Sequence, residues 1–158
     1  MPDDQSDLEA RHRAAEALIS TFRYQKPDAA ISTKGHIKLG RGEHIRGSVQ
    51  IVKKHGGENN LHYHTHAETL WWVIHGKVRF YGPEDVVLGE FGAGEGIVTP
   101  RYSRYWFENC GDEDLELLQV AASPEPGLKS GRTDVTAQRY QVGTGLHFDA
   151  TAKTDAAE

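Results

Sequence analysis

Between His62 and Glu68 the chain reads His62-Tyr63-His64-Thr65-His66-Ala67-Glu68, with an imidazole or a carboxylate at every second position. That is the period of an extended strand, on which alternate side chains point to the same side. The stretch therefore predicts a β-strand aiming four candidate metal ligands, His62, His64, His66 and Glu68, at one interior. Distance limits how many can share an ion. Same-face neighbours on a strand lie roughly 6.5–7 Å apart, whereas a zinc–nitrogen bond is only about 2.0–2.1 Å long. His62 and His64 can converge, but His66 lies about 13 Å from His62 on a straight strand. A bend after Thr65 is needed to return His66 or Glu68 as a third ligand. Neutral imidazole is the commonest transition-metal ligand, which favours metal binding over a solvent-exposed or internally hydrogen-bonded histidine row.

The rest of the chain carries the same alternation. Short apolar runs are punctuated by many of its 17 glycines, as expected of β-strands joined by tight turns. Strands are expected at Ile37–Leu39, Ser48–Val52, Asn60–His66, Thr69–Ile74 and Lys77–Tyr81, then at Val86–Leu88, Glu90–Phe91, Ile97–Thr99, Tyr105–Asn109 and Leu115–Ala121. Strands of this length and spacing predict an all-β fold, a sandwich or barrel of the jelly-roll kind. One helix is expected, from Ser6 to about Tyr24. Ser6 and Glu9 are spaced as a capping box, and Leu8, Ala15, Leu18, Ile19 and Phe22 form one apolar face suited to packing on a sheet or a partner subunit. The expected organisation is a helical extension over 1–30, a barrel over 31–125 and a C-terminal extension over 126–158. That extension holds a possible strand at Arg139–Val142 and a frayed end.

Charge narrows the function classes. Eighteen basic residues against 23 acidic ones give a mildly acidic chain with no basic run to neutralise a phosphate backbone, so nucleic acid is not an expected partner. No apolar stretch is long enough to span a membrane. Met1-Pro2-Asp3-Asp4 lacks the pattern of a secretory signal, and the single Cys110 leaves no internal disulfide. A soluble cytoplasmic protein is expected. The glycine run from Gly92 to Gly96 lacks the lysine and following helix of a phosphate loop, and reads as a turn.

Gly56, His62, His64 and Gly76 fall on the first motif of the cupin superfamily, and Gly94, Pro100, Tyr102, Tyr105 and Asn109 echo its second. Over Ile45–Val120 the chain resembles that family. The resemblance implies a small jelly-roll barrel with a metal held between the motifs, and a homodimer. Two positions depart from the pattern. Thr69 stands where the family's glutamate sits, with Glu68 one place early and of opposite strand parity; Tyr105 stands where the fourth ligand, a histidine, is usual. Three arrangements follow. His62 and His64 with His66 or Glu68 can form an open three-ligand site, faced by Tyr105 as proton donor or substrate anchor. Alternatively Tyr105 ligates directly, or the site is a metal-free small-molecule pocket. Gln50, Trp71, Tyr102, Arg104 and Phe107 are the expected substrate-pocket residues, with Arg101 and Arg104 placed to grip a carboxylate.

The expected activity is that of a metal-dependent cupin-type enzyme acting on a small aromatic or carboxylate-bearing molecule, with Tyr105 and Glu68 as candidate catalytic residues. Mixed nitrogen and oxygen ligation favours Fe(II), and with it a dioxygenase; Mn, Ni or Zn, and a cyclase, isomerase or lyase, are the alternatives. A non-catalytic binding or sensor barrel is the rival from another class.

Overall fold

The computed structural model describes residues 4–139 and 145–150. It is all-β apart from one helix and one short turn of 3-10 helix at Pro83–Asp85. The strands are β1 (Lys34–Arg41), β2 (Ile45–Val52), β3 (His62–His64), β4 (Glu68–His75), β5 (Val78–Tyr81), β6 (Val87–Phe91), β7 (Gly96–Thr99), β8 (Trp106–Asn109), β9 (Leu115–Ala122), β10 (Arg132–Asp134) and β11 (Leu146–Asp149).

They form two facing walls. One is a six-stranded sheet in the order β11-β1-β2-β9-β4-β7. The other combines β10-β3 with β6-β5-β8, joined where His62 bridges Tyr105 through N–H···O=C bonds of 3.2 and 3.0 Å. β4 shows why the sequence folds this way: Thr69, Trp71 and Val73 are buried while Glu68, Leu70, Trp72 and Ile74 face out. Trp71 and Val73 join Val52, Val78, Phe80, Tyr105, Phe107, Leu115 and Leu117 in the core between the walls. A second cluster, Ile31, Ile37, Leu39, Val49 and Ile51, lies on the other face of β1 and β2, backed by Tyr24 and Phe148. At Gly96 the neighbouring strands β7 and β4 approach so closely that a Cβ would sit 1.7 Å from the Trp71 carbonyl oxygen.

The helix differs from expectation. α1 spans Gln5–Glu16, its N-cap is Asp4, whose carboxylate accepts from the Ser6 N–H at 3.4 Å, and none of its residues is buried. Leu18, Ile19 and Phe22 lie beyond it and are 74%, 75% and 52% exposed, so no apolar helix face is packed among the described residues. Beyond the helix the chain is tied to the sheet: the Arg23 N–H donates to the Ala150 carbonyl at 3.2 Å, and the Tyr24 hydroxyl donates to Glu116 on β9. The backbone is thereby drawn into an extended path across the sheet.

The C-terminal extension also contributes more than its composition suggests. β10 pairs antiparallel with β3, and β11 pairs parallel with β1. Of the strand expected at Arg139–Val142, residues 140–142 lie outside the described residues, as does the 151–158 end. Among the described residues no helix is long and apolar enough to cross a membrane.

Candidate functional site

β3 is held on both sides: by Tyr105 on one edge and by β10 on the other, with Arg132 opposite His64, Thr133 opposite Tyr63 and Asp134 opposite His62. Its alternation sends His62 and His64 inward, as the spacing predicts. His62 is 1% exposed, and its Nδ1–H donates to the Asn60 carbonyl at 2.6 Å, which leaves the Nε2 lone pair free. Burial, and then the Arg132 charge, hold its pKa down to about 3. His64 is held down to about 4 by burial and by Arg132 and Arg46. The two rings stand perpendicular with centroids 5.1 Å apart, and Tyr105 lies 4.6 Å from His62 and 6.4 Å from His64. Burial pushes the Tyr105 phenol up to about 12.

Four buried side-chain atoms among the described residues lack a hydrogen-bond partner: Thr33 Oγ1, Gln50 Oε1, His64 Nδ1 and the Tyr105 hydroxyl. Thr99 and Trp71 approach the phenol, but Trp71 Nε1 spends its proton on Thr99 Oγ1 at 3.1 Å. Gln50 shares the interior face of β2 with Val52 and donates Nε2–H to Gln119 Oε1 at 2.7 Å. Three of the four unpaired atoms therefore belong to inward-facing residues. An unpaired buried polar atom costs about 1–3 kcal/mol, so these three groups call for a polar partner, whether a water or a ligand.

The other expected site residues are placed differently. Glu68 is exposed on the outer face of β4, in a hollow with Arg101, Ala122, Ser123 and Pro124, because Thr69 takes the inward parity. It cannot reach the imidazoles. His66 is half-buried after the bend, where Thr65 and His66 donate their N–H groups to Gly131 and Ser130 at 3.3 and 3.1 Å, and it does not join the pair. Among the described residues no three His, Cys, Asp or Glu side chains gather into a metal-binding group. Trp71 and Phe107 are core residues in contact at 5.2 Å, and Trp71 also packs on Tyr105. Tyr102 is 65% exposed and Arg104 is exposed too, so neither lines the interior. The Tyr102 N–H donates to the His64 carbonyl at 2.8 Å, which keeps this loop near the mouth with its side chains in solvent. The larger hollows, of about 340 and 400 Å³, lie on the outer face of the six-stranded sheet, at Trp72 and Val98 and at Phe22 and Val120.

Sequence reading missed the groups that support the pair. Asn60 is fully buried; its side chain donates to Asp134 Oδ1 and to the Thr136 carbonyl, both at 2.9 Å, and accepts from Arg132 Nη2 at 2.8 Å. Arg132 also pairs with Asp134 at 3.1 Å. Lys34, 3% exposed, holds its ammonium 5.1 Å from the Phe107 ring centre, and burial with the nearby Arg132 charge brings it down to about 7. Asn60 sits two residues before the first predicted ligand and carries a readable polar-in-strand signal; Arg132 carries none.

A resident divalent ion does not fit this donor set. The imidazole pair has suitable geometry and protonation. A catalytic metal site takes about three protein ligands, however, and here the Glu68 carboxylate faces out and, among the described residues, no third His, Cys, Asp or Glu side chain gathers with the pair.

Two facing β walls closed around an inward His-x-His strand define a barrel of the double-stranded β-helix class. The chain belongs to the cupin family, whose profile matches residues 20–144. Among solved structures, an uncharacterised conserved protein with a double-stranded β-helix domain from Klebsiella pneumoniae is similar at TM-score 0.53 and 18% identity, over 72% of this chain and 90% of that one. The cupin domain of Schizosaccharomyces pombe Cnp3 matches at 0.54 and 17%, over 64% and 73%. KdgF from a Halomonas species matches at 0.56 and 12%, over 68% and 96%. These identities speak for the fold. No curated protein matches the sequence.

Proposed function

We propose that this cupin barrel binds a small organic molecule between its walls as a non-catalytic binding or sensor module, using His62, His64, Tyr105 and Gln50 as neutral hydrogen-bonding groups. The unpaired, buried His64 Nδ1, Tyr105 hydroxyl and Gln50 Oε1 are the observation that carries this reading. Burial holds His64 down to about 4 and Tyr105 up to about 12, so both are neutral at about pH 7. As hydrogen-bond partners the same groups are well suited, because neither changes charge near neutrality.

The test is isothermal titration with a panel of small carboxylates, amides and alcohols, comparing wild type with Tyr105→Phe and His64→Ala. Each variant should weaken the ligands that bind by about 5- to 100-fold, the equivalent of one buried hydrogen bond. Binding that neither substitution affects refutes the assignment.

The metal-dependent enzyme, with Fe(II) and dioxygenase chemistry foremost, is the second reading. It is favoured by the His62 Nδ1–Asn60 hydrogen bond, which orients Nε2 as metal-bound histidines are oriented. Elemental analysis decides it: iron or manganese near one per chain, lost in His62→Ala, makes that reading the leading one. The homodimer is likewise a proposal, supported by Leu70, Trp72, Ile74 and Val98 exposed together on β4 and β7.

A further inference from the structure

β10 is not explained by apolar burial. All three of its residues are exposed, yet it bonds along the whole of β3 and is anchored by polar groups: Asn60 beneath it, and Val135 N–H donating to the Leu61 carbonyl at 2.8 Å. What it delivers to the barrel is a charge. Arg132 lies opposite His64 with its side chain 31% exposed, half sunk beside the imidazoles. Nε bonds Asp134 and one Nη2 hydrogen bonds Asn60, which leaves roughly three of the five guanidinium donors for another partner.

The surroundings share its sign. Arg46 follows the parity of Gln50 and Val52 and acts on His64 from the opposite wall. Of the carboxylates nearby, Asp134 is engaged by Arg132, Asn60 and Gln138, and Glu58 accepts from the Gly56 N–H at 2.6 Å. A chain of net charge −5 thus carries a cationic spot at the mouth of its barrel, and a partly desolvated guanidinium with free, preorganised donors is suited to a planar carboxylate.

We propose that the ligand of this barrel is a small carboxylate, whose charge is taken by Arg132 on β10 while its oxygens accept from His64 Nδ1–H and the Tyr105 hydroxyl. This rests on the binding reading above and adds the class of ligand and the residue that selects it. It also assigns the C-terminal extension a role: without β10 the site loses the guanidinium that takes the ligand's charge.

Acetate and benzoate, each paired with its isosteric amide, test this on the full chain by titration calorimetry. Wild type should prefer each carboxylate to its amide by about tenfold or more. Arg132→Gln should abolish that preference by weakening the carboxylates alone, and Arg132→Lys should restore part of it. Equal binding of acid and amide, still weakened by Tyr105→Phe, overturns the carboxylate assignment and leaves barrel binding standing. Binding of neither overturns both. Should Arg132→Gln melt at room temperature, the wild-type preference and Arg132→Lys still decide the matter, because a carboxylate preference unchanged in Arg132→Lys overturns the role of the guanidinium fork.

Discussion

Acidification should cost this fold stability through its buried imidazoles, and His62 sets the scale. His62 is held down to about 3 and His64 to about 4, chiefly by burial, whereas both titrate near about 6.5 in the unfolded chain. The unfolded chain therefore binds protons more readily, so stability rises with pH between those values and is lost as pH falls from about 6.5. At about pH 5 an unfolded imidazole is almost fully protonated and its folded counterpart almost neutral, so each group contributes about 2 kcal/mol less than at about pH 7.5. His62, 1% exposed, carries that in full, while solvent screening trims the share of half-buried His64. Together they amount to about 3–4 kcal/mol, a large part of the roughly 5–15 kcal/mol that holds a domain. Urea unfolding in chelator-treated buffer reads this as a midpoint lower by about 1–3 M at the acid end. His36, also lowered to about 4 by burial, adds to the wild-type slope, so the decisive comparison is with His62→Gln, which should remove about 2 kcal/mol of the pH dependence. Asp134, held below the usual carboxylate range by the Asn60 amide, titrates below this window. A midpoint equal at both pH values, or NMR titrations placing His62 and His64 near about 6.5, refutes the reasoning.

Gly96→Ala should destabilise by about 3 kcal/mol in urea unfolding, because the new methyl meets the Trp71 carbonyl and must push β7 off β4. Asn109→Ala should cost about 2–4 kcal/mol on the same measure: the buried amide donates to Val52 and Glu113 carbonyls at 2.9 and 2.7 Å and accepts from Gly111 N–H at 2.9 Å. Excess Mn(II) or Zn(II) should leave the melting temperature within about 1 °C, since stabilisation by a ligand requires a formed site. A rise of about 5 °C or more that disappears in His62→Ala counts against the donor-set argument.

The barrel was legible because its signals are local. Alternation on β4 and glycines at the turns are read within a few residues, and counting back from Gly76 already separates Thr69 from Glu68 in parity. The same period explains Trp72: its chemistry suggests core, but its parity puts it outside at 50% exposure. Features decided by distant partners were not legible. The segment after α1 is held by partners far away in sequence, Arg23 bonding Ala150 more than a hundred residues on. Tyr102 and Arg104 sit beside a buried ligand strand in sequence register yet lie on an exposed loop, where Tyr102 adopts φ 66°. β10 has no apolar alternation at all; β3 supplies both its pairing and its place, so Arg132 could not be found by reading its own neighbourhood.

Set side by side, the two departures from the cupin pattern and the arrival of Arg132 act in one direction. Thr69 on the inward face removes a negative charge that would balance a cation. Tyr105, held protonated by burial, replaces a lone-pair donor with an O–H that gives a hydrogen bond rather than a metal bond. Arg132 then adds a fixed positive charge within reach of both imidazoles. Each step weakens the case for a divalent ion, and each strengthens the case for an anion with acceptor oxygens. The neutral imidazole pair belongs to both designs, so His-x-His is the least informative part of the site. The residues that decide the chemistry are those around it, two read by register at positions 69 and 105 and one brought in by β10.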